Sequence, residues 1–179
     1  MNSEFRIQNS EFQKPAIVAL GSNLGDSRRI ILEAMARLQK FSDEPILKSS
    51  LWQTLPVDCP PGSPKFVNAV VGLVPRTGET PESWLKKLRE LEKEFGRPVK
   101  KVLNEPRPLD LDLIAFGNET RNSPELFLPH PCAHLRRFVL QPLSEIAPDL
   151  VLPGQTRPVL DLLCELPKAE TVIWLSSPI

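Results

Sequence analysis

Residues 107–116 read RPLDLDLIAF, and this stretch decides how the rest of the chain is arranged. Leu109, Leu111 and Leu113 recur at every second position, the period of a β-strand half-buried on one face. Asp110 and Asp112 fall on the opposite face, with no lysine or arginine between them. Aspartate is depleted in strands, and two carboxylates ~6–7 Å apart on one face repel unless something binds them. The pattern leaves two readings, a solvated strand face or a divalent cation site. Hard oxygen ligands suit Mg²⁺, which takes one or two carboxylates and completes its shell with substrate phosphates. Carboxylates at i and i+2 point the same way off the pleat and can bridge two such ions.

The segment just before the strand, GRPVKKVLNEPR, carries Arg97, Lys100, Lys101 and Arg107 against a single Glu105. A basic loop beside a carboxylate pair is the combination a metal–polyphosphate requires, because arginines clamp the phosphate charge that the metal leaves over.

Working toward the N-terminus, helix two is clearly punctuated. Thr80 is a candidate N-cap, Pro81 occupies the first helical position, Trp84, Leu85, Leu88, Leu91 and Phe95 form the apolar stripe, and Gly96 and Pro98 end it. FVNAVVGLV (66–74) and ILKSSLW (46–52) read as strands, separated by the proline-rich TLPVDCPPGSP. Ala16–Leu20 is a further apolar strand, and Gly21 and Gly25 mark a turn into a helix capped by Asp26 or Ser27, with Ile30, Ile31, Ala34, Met35 and Leu38 on one face. The order β-α-β-β-α-β predicts an α+β fold with a ferredoxin-like core: a mainly antiparallel sheet, helices on one face, and a C-terminal extension of loop and short helix from Leu128 on.

The 179 residues suffice for one domain with a sizeable core, expected over 15–179. NSEFRIQ followed at once by NSEFQKP is a polar near-duplication, so residues 1–14 are expected to be a disordered extension. Lys+Arg and Asp+Glu balance at 22 each, so no global positive field recruits nucleic acid or an anionic membrane. Three cysteines without C-x-x-C spacing fit a reducing cytosol, and no apolar run suits a membrane span or signal peptide; a cytoplasmic protein with no obligate protein partner is the expectation.

Three further segments carry chemistry. GSNLGD (21–26) lacks the lysine and spacing of a phosphate loop and reads as a strand-to-helix turn. LPHPCAHLRRFVLQPLSEIAP (128–148) holds both histidines, His130 and His134. They are either a metal pair on a helix, which Pro131 disfavours, or part of a cluster with Arg136 and Arg137 that donates to phosphate, with Phe138 available to stack on a flat ring. Asn68 in FVNAVV offers a side-chain amide, donor and acceptor together, as the edge of a heterocycle requires.

In combination and in this order, ALGSNLGD, FVNAVV, PRPLDLDLIAFG and LPHP…H-x-R-x-F-V-L-x-P-L-x-E-I-A-P resemble the 6-hydroxymethyl-7,8-dihydropterin pyrophosphokinases of folate biosynthesis, over about 15–153. The resemblance implies a ferredoxin-like core and transfer of the pyrophosphoryl group of ATP to the pterin hydroxymethyl with release of AMP. It implies that Asp110 and Asp112 hold two Mg²⁺ ions, with Asp110 near the attacking hydroxyl. Arg97, Arg107, His130 and Arg136 would meet the nucleotide phosphates, and Leu85, Glu92 and Leu113 match positions near ATP. Asn68 would read the pterin edge between Phe66 and Phe138, and Thr54 to Val57, with Pro56, would complete that pocket. Many family members carry tryptophan where Asn104 stands and arginine where Val99 stands, so loop closure over ATP is expected to rest here on Lys100 or Lys101. The competing class is a ferredoxin-like RNA-binding or regulatory module, against which stand the zero net charge and the absence of tyrosine or an aromatic stacking pair.

Overall fold

The structure, a computed structural model, describes residues 15–57, 59–97, 105–167 and 172–178. The N-terminal near-duplication, Pro98 and the predicted lid residues Val99, Lys100, Lys101 and Asn104 lie outside them. Strand β1 (Ala16–Ser22) leads into helix α1 (Ser27–Leu38), then β2 (Leu47–Lys48), β3 (Leu51–Thr54), β4 (Phe66–Leu73), helix α2 (Pro81–Glu94) and β5 (Asp110–Phe116). A hairpin, β6 (Arg121–Ser123) and β7 (Leu126–Leu128), follows, then α3 (Arg137–Ile146), α4 (Val159–Glu165) and β8 (Val172–Ser176). The main sheet runs β5-β1-β4-β3-β8, with β2 also on β4, and every pairing is antiparallel.

Period-2 alternation along β1, β4 and β5 feeds two cores. Val18, Leu20, Val71, Leu73, Leu111 and Leu113 meet α1 and α2 through Ile31, Met35, Leu38, Trp84, Leu88 and Leu91. On the other face Ile17, Val70, Ile114 and Ala115 meet α3 and α4 through Val139, Leu140, Leu143, Val159 and Leu163. Helices therefore cover both faces, not one as the sequence pattern predicts. The reason is α3, whose stripe Val139, Leu140, Leu143 and Ile146 is buried on the sheet despite Pro142 within the helix.

Both helix starts follow the capping residues. The Asp26 side chain accepts the Arg29 N–H, and Thr80 and Ser83 form a reciprocal capping box. At the far end of α2, Gly96 adopts φ +80°, its N–H donates to the Lys93 carbonyl, and the Arg97 N–H donates to the Glu92 carbonyl at 3.0 Å. These two bonds form a Schellman motif, and they fix Arg97 against the last turn of α2.

The predicted strand 46–52 is two strands. The Ser49 hydroxyl, rather than a backbone carbonyl, accepts the Val70 N–H at 2.9 Å, and the next amide, Ser50 N–H, leaves the ladder for Glu145 Oε2 at 2.6 Å. Residues after Leu128 are not only loop and short helix. The β-branched and aromatic run VIWLS forms β8, which pairs with β3.

Candidate active site

The antiparallel register lines up one row of residues across the α3 side of the sheet: Asp110 opposite Gly21, Gly21 opposite Asn68, Asn68 opposite Trp52. Beside it run Asp112 opposite Ala19, and Phe66 opposite Thr54. Helix α3 covers this face only as far as its own N-terminal end. Beyond that end the sheet is bare where Gly21 has no side chain, and a solvent-open cleft results. Ala19, Leu20, Gly21, Thr54, Phe66, Asn68, Asp110 and Asp112 line the sheet side. Leu55, Val57, Cys59, Arg107, Arg136 and Phe138 complete the walls.

At one end, Asn68 and Thr54 are both buried, and the Asn68 amide nitrogen donates to Thr54 Oγ1 at 2.7 Å. This bond orients the amide and directs Oδ1 toward Gly21, where an added Cβ would meet it at 3.3 Å. Phenyl rings flank the space, each carrying a guanidinium: Arg107 lies 5.4 Å from the Phe66 centroid and Arg136 lies 5.5 Å from that of Phe138.

At the other end are the carboxylates. Asp110 is held by two arginines, Arg97 Nη1 at 2.7 Å on Oδ1 and Arg107 Nη2 on Oδ2. Among the described residues, the Asp112 carboxylate forms no hydrogen bond or ion pair; burial, then the charge of Asp110, push its pKa up to about 6. A half-buried carboxylate whose oxygens have no partner among the described residues, beside a second carboxylate, is a donor set that suits a hard cation. Among the described residues no third carboxylate, histidine or cysteine joins them, so the rest of a coordination shell would come from substrate oxygens and water. Arg107 Nε is buried without a hydrogen-bond partner among the described residues.

Arg107 is itself clasped. The buried Asn23 accepts the Arg107 N–H on Oδ1 at 2.9 Å, donates its own N–H to the Arg107 carbonyl at 3.2 Å, and donates from Nδ2 to the Pro64 carbonyl at 3.4 Å. Behind Asp110, Glu92 on α2 is buried, accepts the Leu111 N–H on Oε1 at 2.7 Å and pairs with Arg97. Burial outweighs these partners and pushes its carboxyl up to about 7.

Of the predicted site residues, Asp110, Asp112, Arg107, Arg136, Thr54, Val57, Phe66, Asn68 and Phe138 converge on the cleft, and Arg97 joins through Asp110. Pro56 does not line it. Leu85 and Leu113 pack into the core on the opposite face of the sheet. His130 lies along the outer edge of β5, its N–H on the Ile114 carbonyl at 2.9 Å and its Nδ1 accepting the Cys132 N–H at 3.2 Å. Burial, with Arg136 nearby, lowers its pKa and favours the neutral imidazole. His134 sits in a separate 3-10 turn, Ala133–Leu135, so the two histidines do not form a pair on one helix. Sequence reading missed Gly21 and Asn23. Both lie in GSNLGD, where a glycine and an asparagine closing a buried strand were the available signal.

Residues 17–148 match the family model described as 7,8-dihydro-6-hydroxymethylpterin-pyrophosphokinase. The chain belongs to this family. It is 38% identical over 149 residues to the 2-amino-4-hydroxy-6-hydroxymethyldihydropteridine pyrophosphokinase of Pseudomonas aeruginosa, covering 82% of this chain and 90% of that one. For the protein of the same name from Synechocystis sp. the figures are 34% over 163 residues, 91% and 80%. The folic acid synthesis protein fol1 of Pneumocystis carinii is 36% identical over 152 residues, 85% of this chain but only 20% of that protein. The fold is similar to that of a Plasmodium falciparum HPPK-DHPS crystal structure, with TM-score 0.66 at 14% identity, over 88% of this chain and 46% of that one. Pyrophosphokinase family members thus occur both as chains of about this length and as one part of longer proteins. Among the described residues no helix is long and apolar enough to cross a membrane.

Proposed function

We propose that this chain transfers the pyrophosphoryl group of ATP to the hydroxymethyl group of 6-hydroxymethyl-7,8-dihydropterin, releasing AMP, as a step of folate biosynthesis. The observation that carries the reading is the row Asp110–Gly21–Asn68. It sets a carboxylate and a hydrogen-bonding amide two strands apart, roughly 10 Å, with open space between them.

Asn68, oriented by Thr54, reads the donor and acceptor edge of the pterin, and Phe66 and Phe138 take its faces once Arg107 and Arg136 swing off them. Asp110 and Asp112 would hold Mg²⁺, two ions in this reading, which supplies charge neutralisation of the polyphosphate. The arginines now on Asp110 then exchange that carboxylate for phosphate oxygens, so Arg97 and Arg107 serve the nucleotide without long travel. Arg136 supplies a third cation at the α3 end of the cleft. The work is positioning and electrostatic stabilisation of the charge that develops on the departing AMP. The strand order β5-β1-β4-β3 supports a ferredoxin-like core with β8 added at one edge, contained in a single domain over 15–179. A cytoplasmic setting fits three cysteines that share no C-x-x-C spacing.

The test is AMP release from ATP with the hydroxymethyl pterin and Mg²⁺, for the wild type, Asp110→Ala and Asp112→Ala. AMP in step with pterin consumption, lost in both variants while they remain folded, is the expected result. ADP as product, or turnover retained by either variant, overturns the reading.

A further inference from the structure

β5 is an edge strand, and an edge strand presents backbone N–H groups with no sheet partner. Leu111, the residue between the two aspartates, has such an N–H on the side away from β1. The buried Glu92 carboxylate takes it at 2.7 Å. The Glu92 backbone is fixed in turn, because its carbonyl accepts the Arg97 N–H in the Schellman end of α2. Glu92 does not line the cleft.

We infer that Glu92 is a positioning residue: by holding the Leu111 amide it sets the strand segment from which Asp110 and Asp112 reach the cleft, and it acts without touching either substrate. The inference rests on the proposed reading of Asp110 and Asp112 as cation-binding carboxylates. Free of that bond, the edge segment frays, and side chains on adjacent residues no longer point the same way off the pleat. The bond is worth more here than on a surface, since a buried N–H left without a partner is costly.

Two conservative variants separate reach from charge. Glu92→Gln keeps an oxygen at the same reach for the Leu111 N–H and gives up the charge facing Arg97. Glu92→Asp keeps the charge and withdraws it by about 1.5 Å, one carbon–carbon bond. Three measurements apply to wild type and both variants: Mn²⁺ affinity with a non-hydrolysable ATP analogue by water-proton relaxation, exchange of the Leu111 amide by NMR, and kcat and KM for AMP release.

Glu92→Asp should weaken Mn²⁺ binding about tenfold, speed Leu111 exchange at least tenfold, and lower kcat at least tenfold while the pterin KM moves less than threefold. Glu92→Gln should stay within threefold of wild type in all three. The inference is overturned if Glu92→Asp behaves as wild type, or if Glu92→Gln is impaired as much as Glu92→Asp. It is equally overturned if either variant raises the ATP KM with kcat unchanged, the mark of a direct nucleotide contact. A wild type that binds no Mn²⁺ with the analogue defeats the proposed function itself, and so is told apart from failure of the Glu92 inference.

Discussion

Asn23 and Arg107, 84 residues apart in sequence, are joined by a reciprocal pair of hydrogen bonds, side chain to amide at 2.9 Å and amide to carbonyl at 3.2 Å. The clasp pins the residue whose guanidinium bridges Asp110 and Phe66. Asn23→Ala leaves the Arg107 N–H without its acceptor, which costs about 1–3 kcal/mol. The urea midpoint should fall with an unchanged m-value, and calorimetry should show weaker binding of an ATP analogue in the folded variant.

Asn68 separates recognition of the two substrates. Asn68→Ala should weaken pterin binding ~10-fold or more, about 1.4 kcal/mol per decade, and leave ATP affinity nearly unchanged. Thr54→Val removes the oxygen that orients the amide. Its effect should be smaller and of the same kind, and the double variant should lose less than the sum, since the two residues act as a pair. Calorimetry with each ligand separately measures all of these.

Gly21→Ala is expected to divide stability from function. The backbone at Gly21 does not adopt a positive φ, so no backbone strain opposes alanine there, and replacing glycine in a strand stabilises by roughly 0.5–1 kcal/mol where Asn68 yields the few tenths of an ångström the methyl needs. The added methyl would stand 3.3 Å from Asn68 Oδ1 and 3.9 Å from Asp110 Cβ, in the gap between them. A melting temperature within a few degrees of wild type with at least tenfold weaker pterin binding is the predicted outcome.

Glu79 contributes to the acid limb of stability. Its burial acts to raise the pKa, and the hydrogen bonds from Lys87, the Trp84 indole and the Arg76 amide overcome this, leaving it below the ordinary 4.5. A carboxyl whose folded pKa is depressed contributes stability present above the unfolded pKa and lost as pH falls through the folded value. Glu79→Gln should therefore cost about 1–3 kcal/mol at neutral pH, and the difference from wild type should shrink as the pH drops below 4.5. Denaturant titrations at several pH values check the sign.

The parts of this molecule governed by local rules were readable from sequence. Asp26 and Thr80 cap their helices, Gly96 ends α2, and the alternation in DLDLIAF sends Leu111 and Leu113 one way and the aspartates the other. What escaped depends on register. That Gly21 would sit between Asp110 and Asn68 follows only from how three strands pair, and a glycine ending a strand looks the same whatever lies beside it. The break at Ser49 arises because one hydroxyl replaces a carbonyl in the ladder, a substitution no periodicity signals. VIWLS had the composition of a strand. Its position after the last helix, on the far edge of the sheet, hid it, and Ile173 and Trp174 remain exposed there.

β1 and β4 give alternate side chains to both cores, Ile17 and Val70 to one, Val18 and Val71 to the other. Neither helical layer can peel away while the other keeps a native sheet, because each strand would then carry a naked apolar face into water. The two layers therefore melt as one cooperative unit, and the cleft, floored by those same strands, has no independent existence. Catalytic capacity and near-ultraviolet circular dichroism should disappear at a single denaturant concentration, so a partly folded form that still turns over substrate is not available to this architecture.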